Sequence, residues 1–259
     1  MQNIYYFNNL SKERSCVHLV TTKNSEYPFN FSLALHTNEN PKDILNNREI
    51  LQQKFPKMSF IVANQTHSNH VKIISKREEQ GWSSKESAIF NCDSLITNQK
   101  NIMLTMLTAD CVPILLFDPK KKVVSAIHAG WRGTKDEIVI QTVEKMKEEF
   151  NSDPKDIIAG IAPSIGRCCY EVDLGVAKYF IKYNSVFDKI GEKYMLDLPL
   201  INKKQLLKSG LKDENIELSN ICTSCRVDDY FSYRKENGCS GRFMSMIGII
   251  ETNLKKEVI

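Results

Sequence analysis

Long apolar runs and an excess of one charge sign are both missing from this 259-residue sequence. No stretch approaches the roughly 20 apolar residues of a membrane span. The first residues, Met1-Gln-Asn-Ile-Tyr-Tyr-Phe, lack the basic start and apolar core of a secretory leader, so a cytoplasmic protein is expected. Lys and Arg number 35 against 31 Asp and Glu, a net charge of +4. That balance suits an anionic small molecule as readily as RNA and gives no ground for a nucleic-acid partner. No repeat, low-complexity tract or linker breaks the chain, which therefore reads as one domain, 1–259. The glycine spacings of nucleotide-binding loops are absent as well.

Cysteine is present in number, eight residues, but not in pattern. Uneven spacing in a chain this long does not describe a disulfide framework, and a reducing compartment keeps the residues as thiols. Cys222-Thr-Ser-Cys225 is a lone C-x-x-C, a weak sign of redox chemistry or a second zinc. Adjacent Cys168 and Cys169 do not comfortably share one ion and are read as packing residues.

The segment Leu107 to Gly133 organises the remainder. Val112 to Phe117 and Val123 to His128 are β-rich runs, and Asp118-Pro119-Lys120-Lys121 between them fits a type I turn. Closing that turn by pairing Asp118 with Lys121 sets Cys111 opposite His128 at the open end. Such a thiol and imidazole can share a metal ion or act as nucleophile and base.

Before the hairpin, strands are expected at Ile4 to Phe7, Val17 to Thr21, Phe29 to His36, Ser59 to Ala63, Val71 to Ile74, Asp93 to Thr97 and Ile102 to Leu107. A helix starts at Pro41, and Ser75 to Ala88 reads as a surface loop or mobile flap. After the hairpin, Thr134-Lys-Asp-Glu137 has capping-box form before an apolar helical spacing at Val139, Val143, Met146 and Phe150. Ile157 to Ile161 and Ile216 to Leu218 are further strands, with helices near Leu174 to Tyr183 and Leu200 to Lys208. Strands and helices mix without βαβ alternation. The expected fold is α/β of the α+β type, with mixed sheets sandwiched by helices.

His67, Cys111 and His128 each lie at or just past a predicted strand end. Two imidazoles and a thiolate with a fourth position open is a catalytic zinc pattern, and zinc there would bring a bound water toward a pKa of ~7. The same three residues also fit hydrogen-bonded loop histidines and a packed thiol. His128-Ala-Gly-Trp-Arg-Gly133 enters a helix start, where Arg132 and free N–H groups favour phosphate or carboxylate; equally, it is a tight turn plugged by Trp131. Asp110 and Glu171 are candidate proton carriers, and Arg234 and Arg242 candidate completions of an anion pocket.

Gln65-Thr-His67, Asp93-Ser-Leu-Ile-Thr-Asn98, Thr108-Ala-Asp-Cys-Val-Pro113, His128-Ala-Gly-Trp-Arg-Gly133, Pro163 to Val172, and Phe231-Ser-Tyr-Arg234 with Gly241-Arg242 follow one another in the chain. In content and order they resemble the YfiH-like family. This is also called the laccase-domain or multicopper polyphenol oxidoreductase family, and is associated with purine nucleoside phosphorylase activity. The resemblance implies a single-domain sandwich with a core similar to certain bacterial toxin cysteine hydrolases. It implies zinc held by His67, Cys111 and His128, with Asp110, Cys111, Arg132 and Glu171 catalytic. Gln65, Arg132, Tyr170, Arg234 and Arg242 become the expected substrate contacts.

The implied substrates are purine nucleosides and phosphate, with adenosine deamination as a further activity and a monomer or homodimer as the working form. Four residues depart from the family's usual pattern: Ser32, Ala34 and Asn38 replace Asn, Gly and Gly, and Ser68 replaces Gly. They bear on substrate contacts from the N-terminal loop. Competing readings are a Cys111–His128 thiol hydrolase editing peptidoglycan precursors, a copper oxidase, and a non-enzymatic zinc module. The copper reading requires more imidazoles than the five histidines here.

Overall fold

The computed structural model describes residues 4–251. Two large sheets lie face to face. The first has strand order Ile216–Leu218, Ile158–Ile161, Val112–Asp118, Val123–Ala129, Ser94–Thr97 and Val71–Ile73. The second runs Ile4–Tyr5, Cys16–Thr21, Phe243–Ile249, Ile102–Thr108 and Ser59–Val62. Both are mixed. The outermost pairs Ile216–Leu218 with Ile158–Ile161, Val71–Ile73 with Ser94–Thr97, and Ser59–Val62 with Ile102–Thr108 are parallel, and the other pairs are antiparallel. A small sheet of Glu171–Val172, Lys193–Leu196 and Phe187–Ile190 lies beside them.

Side-chain alternation along the central hairpin explains the layering. Leu115, Phe117, Val124 and Ala126 point to the second sheet and pack with Leu104, Met106 and Phe243. Their neighbours Ile114, Leu116, Val123 and Ile127 point the other way, onto Val139, Val143 and Met146 of the helix Ile138–Phe150. The far face of the second sheet, with Leu19, Met103 and Met244, is closed by Phe31, Leu51 and Trp82. The result is helix, sheet, sheet, helix, as the mixed pattern predicts. No helix among the described residues is long and apolar enough to cross a membrane.

The hairpin register differs from the expected one by two residues. Asp118 pairs with Val123, and His128 pairs with Pro113 instead of Cys111. The turn is wider because Asp118 Oδ1 accepts the N–H groups of Lys120 and Lys121 at 2.8 and 3.0 Å, while Lys122 takes a left-handed φ of 54°. A shift of two preserves facing. Cys111 therefore stays on the His128 side and now lies across from Gly130.

Other expectations fail for equally local reasons. Phe29 to His36 is not a strand: Phe29, Asn30 and Phe31 have φ of 50°, 52° and 65°. The carbonyls of Ser32 and Leu33 are taken by Asn47 Nδ2 and Arg48 Nε, at 3.0 and 2.8 Å, from the helix Pro41–Gln53. Chain that alternates Phe and Leu is thereby folded onto a helix instead of a sheet.

The segment from Ser75 to Ala88 is not a free flap, because Trp82 is buried against Phe60 with ring centroids 4.0 Å apart. Arg48 Nη1 donates to the Gly81 carbonyl at 2.7 Å and to that of Trp82.

Thr134 caps nothing. A short helix, Trp131–Lys135, begins earlier at Gly130, and Glu137 with φ 57° precedes the long helix. The expected helix from Leu174 is α-helical only to Ala177 and continues as 3-10 turns. The first strand stops at Tyr5, short of Phe7.

Candidate active site

Asp93, at the start of an apolar strand, is wholly buried, which demands that its carboxylate be saturated with donors. It is. Oδ2 accepts from Ser68 Oγ at 2.6 Å and from the N–H groups of Ser68 and Thr66 at 2.7 and 3.2 Å. Oδ1 accepts the His67 N–H at 3.1 Å and lies 2.7 Å from His128 Nδ1. One carboxylate thus folds the turn carrying His67, where φ is 61°, and fixes His128 with its Nε2 turned outward. Ser68, one of the departures from the family pattern, adds a hydroxyl to this network.

His67, Cys111 and His128 come together: one ligand atom from each lies within 4.8 Å of the others. Cys111 Sγ is 3.8 Å from His67 Nε2, and the two imidazoles meet edge to face at 4.8 Å between centroids. Gly130 makes the space. A Cβ there would fall 2.9 Å from His67 Cδ2 and 3.1 Å from Cys111 Sγ. Its own backbone is ordinary, with φ −70° and ψ 174°. Gly130→Ala is therefore expected to fold normally yet weaken metal binding by roughly 10- to 100-fold, as displaced ligand geometry does elsewhere. A competitive chelator titration beside a melting curve checks both halves.

The charges are organised around the thiol. Burial opposes ionisation of Cys111, but the adjacent His128 charge and hydrogen bonds from both histidines bring it down to about 6. Burial likewise disfavours charge on His128. The Cys111 thiolate and the Asp93 carboxylate more than offset that and raise it to about 9. The two shifts run in opposite directions, each charge favouring the other, and both favour a thiolate beside an imidazolium that Asp93 orients.

The donor set fits a zinc ion. It offers two imidazole nitrogens and one thiolate, with His128 oriented by Asp93 and with room for His67 and Cys111 to approach because Gly130 carries no Cβ.

The other expected residues separate into two groups. Arg132, exposed at the start of the short helix, stacks 4.4 Å over Trp131, and its guanidinium hydrogen-bonds no other described residue. Tyr170 is pushed above the usual tyrosine range by burial first and then by the Cys111 and Asp110 charges, with Arg234 and Arg132 opposing. It therefore shares one electrostatic space with the cluster. Arg234 lies 5.5 Å over the Tyr170 ring and donates to the Glu171 carbonyl at 2.9 Å. Arg242 is lowered chiefly by burial, against the Cys111, Glu39 and Asp110 charges, and its Nη1 is tied to the Ser240 and Gly241 carbonyls at 2.6 and 2.8 Å. Its N–H also donates to Ser32 Oγ, so that departure too has a structural partner.

Gln65 and Asp110 are committed to the frame. The Gln65 amide closes a two-way bond with Leu107, accepting its N–H and donating to its carbonyl, both at 2.9 Å. Asp110, strained at φ 86°, accepts from Thr223 Oγ1 and from the Arg234 N–H, each at 2.7 Å. The Glu171 side chain is exposed and forms no hydrogen bond among the described residues.

Residues 17–250 match the family described as multi-copper polyphenol oxidoreductase laccase. The chain belongs to that family. Among its relatives is purine nucleoside phosphorylase YlmD of Bacillus subtilis, 36% identical over 243 residues, or 89% of this chain and 87% of that protein. Another is a purine nucleoside phosphorylase of Bacteroides thetaiotaomicron, 31% identical over 94% of this chain and 95% of that one.

The crystal structure of YlmD from Geobacillus stearothermophilus superimposes with a TM-score of 0.87 at 30% identity, covering 95% of this chain and 94% of that one. The Bacillus licheniformis protein YfiH gives 0.86 at 32% identity, over 91% and 93%. The family's description speaks of several coppers. In this member, the two metal-competent groups among the described residues contain only two imidazoles between them.

Asp93 was not among the expected site residues. The signal was available: a carboxylate at the head of a strand that is otherwise apolar needs a buried partner. Of the other metal-competent group, the sequence offers Cys222 and Cys225 as a weak sign of a second zinc, whereas Cys168 and Cys169, read as packing residues, lie in the same cluster.

Proposed function

We propose that this chain is a zinc-dependent purine nucleoside phosphorylase acting on adenosine, inosine, guanosine and methylthioadenosine, and that the same site deaminates adenosine. The observation that supports it most is the His67–Cys111–His128 cluster beside Tyr170 and three arginines. That combination suits a substrate pairing an apolar, nitrogen-rich base with an anion. The relatives named as purine nucleoside phosphorylases lend it weight.

Zinc, held by His67, Cys111 and His128, supplies Lewis acidity at the site. The chain's own groups do the rest. Arg132 has its guanidinium free to bind phosphate in a forked manner, while Arg234 and Arg242 keep donors beyond those used on backbone carbonyls. Phosphate oxygen bonds to the ribose carbon as the bond from that carbon to the purine nitrogen breaks, and the base leaves with a proton. Tyr170 holds its hydroxyl proton at neutral pH and offers a hydrogen bond to the substrate. Asp110 acts by position: its bonds to Thr223 and Arg234 hold the strained turn that presents Cys111. Exposed Glu171 keeps its carboxylate free to relay a proton to solvent. The working compartment is the cytoplasm, where all eight cysteines stay reduced, as a monomer or homodimer.

Arg132→Ala is expected to raise the phosphate KM by roughly 10- to 100-fold, the loss of one or two charge-assisted bonds, with little change in stability. Phosphate saturation curves with inosine, following hypoxanthine and ribose 1-phosphate, check this. An unchanged phosphate KM, or base release without phosphate, overturns the assignment.

One observation favours a second reading. Cys111, His128 and Asp93 stand in the order nucleophile, base and orienting acid, as a thiol hydrolase requires. In that case zinc blocks the nucleophile, and a chelator raises amidase activity.

A further inference from the structure

Four thiols that take no part in this reaction converge in the two turns that also bond to Asp110. Cys168 and Cys169 lie in a turn after Gly166; Cys222 and Cys225 lie in a second turn. The two turns are laid side by side by a backbone bridge between Ser164 and Cys222, with Ser164 N–H donating to the Ile221 carbonyl and Thr223 N–H to that of Ser164, at 3.2 and 3.1 Å. Cys225 Sγ then sits 3.5 Å from Cys168 Sγ and 3.4 Å from Cys169 Sγ, and all four sulfurs fall within 4.8 Å of one another. All four are free thiols. We propose that Cys168, Cys169, Cys222 and Cys225 form a closed tetrathiolate site for a second, structural zinc ion.

Three features beyond the grouping point to an ion. Thiolates at about 2.3 Å from a tetrahedral zinc stand about 3.8 Å apart, and the sulfurs, two of whose separations are 3.4 and 3.5 Å and none above 4.8 Å, need only small shifts to reach that spacing. Cys222 Sγ accepts the backbone N–H of Gly166 at 3.3 Å, a bond that favours the thiolate form a metal ligand needs. Gly166 keeps the cradle open, since a Cβ there would stand 3.2 Å from Cys222 Cβ and 3.5 Å from Cys168 Sγ. The adjacent pair Cys168 and Cys169, unpromising as co-ligands in an extended chain, are turned to one side. The turn does this by donating the N–H groups of Cys169 and Tyr170 to the Gly166 carbonyl, both at 3.0 Å.

The consequence reaches the active site through the same two turns. Ile165 N–H donates to the Asp110 carbonyl at 2.9 Å, Thr223 Oγ1 to its carboxylate at 2.7 Å, and Arg234 Nη1 reaches the Cys169 carbonyl at 3.5 Å. A zinc joining the turns clamps the residues that hold Asp110 and Arg234. The ion takes no part in the reaction itself.

The test is the zinc content of protein purified anaerobically under reducing conditions, measured by native mass spectrometry on the full chain. Two ions are expected, one for each metal-competent group. Cys225→Ser and Cys168→Ser should each retain one, and Cys111→Ala should also retain one. Cobalt loaded into Cys111→Ala should show the intense visible absorption of a tetrathiolate, which Cys111→Ala with Cys225→Ser loses. Should the serine variants fail to fold, X-ray absorption of zinc in Cys111→Ala, with four sulfur neighbours at about 2.3 Å, carries the same information. No ion in Cys111→Ala, an ion count indifferent to Cys225→Ser, or a disulfide among the four in the reduced protein overturns the proposal. None of these readouts depends on nucleoside turnover, so failure here leaves the proposed reaction standing, and the reverse holds too.

Discussion

Asp93→Ala is expected to destabilise the protein by about 3–5 kcal/mol and to abolish metal binding at the active site, an effect out of proportion to one small side chain. The carboxylate is buried and satisfies Ser68, Thr66, His67 and His128 at once. Its removal strands buried donors and releases both histidines. Burial opposes its charge, but the hydrogen bond and charge of His128, with the Ser68 bonds, hold it down at about 2.

The sign of the pH dependence follows from that depression. Between about pH 4 and 2 the unfolded chain takes up a proton that folded Asp93 refuses, so stability rises with pH across the window. Acidification through it should cost roughly 2 kcal/mol from this residue. Chemical denaturation at stepped pH should show this slope in the wild type and lose it in Asp93→Asn. A slope that survives Asp93→Asn places the acid sensitivity elsewhere.

Cys111→Ala carries the second large effect. On the proposed reading, loss of a thiolate from a three-residue donor set would remove the Lewis acidity a bound metal supplies, worth several kcal/mol at a transition state, so kcat should fall on the order of 10³-fold or more. Stability should barely change, because Cys111 is only half-buried and stands beyond the end of its strand. A variant that folds, binds nucleoside and fails to turn it over is the expected outcome. Activity retained within tenfold would mean that the thiol is neither ligand nor nucleophile.

The hairpin shows how far the amino-acid sequence carries the argument. Two apolar runs about an Asp-Pro turn suffice to place Cys111 and His128 on one face, since facing depends on parity alone. Register does not, because it was settled by Asp118 binding two turn N–H groups and by Lys122 turning left-handed. The Phe29 to His36 alternation misleads for a different reason: buried Phe31 and Leu33 serve a helix, and the deciding partners, Asn47 and Arg48, lie a dozen or more residues away. Trp82 in a polar stretch was the overlooked sign that the supposed flap is pinned.

At the site, His67, Cys111 and His128 were legible as strand-end residues, and the motifs joined them. Gln65 and Asp110 were legible as important but not as framework, since both spend their polar atoms on backbone or hydroxyl partners distant in sequence. The four-thiol cluster was hidden because the bridge between Ser164 and Cys222 spans a long separation that no local pattern announces.

The most direct measurement is phosphorolysis of inosine by one enzyme preparation in three states: zinc-stripped, zinc-restored, and zinc-restored without phosphate. Hypoxanthine and ribose 1-phosphate are predicted in equal amounts from the zinc-restored enzyme with phosphate, and neither from the other two states. Turnover that persists or rises after zinc is stripped, or that proceeds without phosphate, contradicts the account.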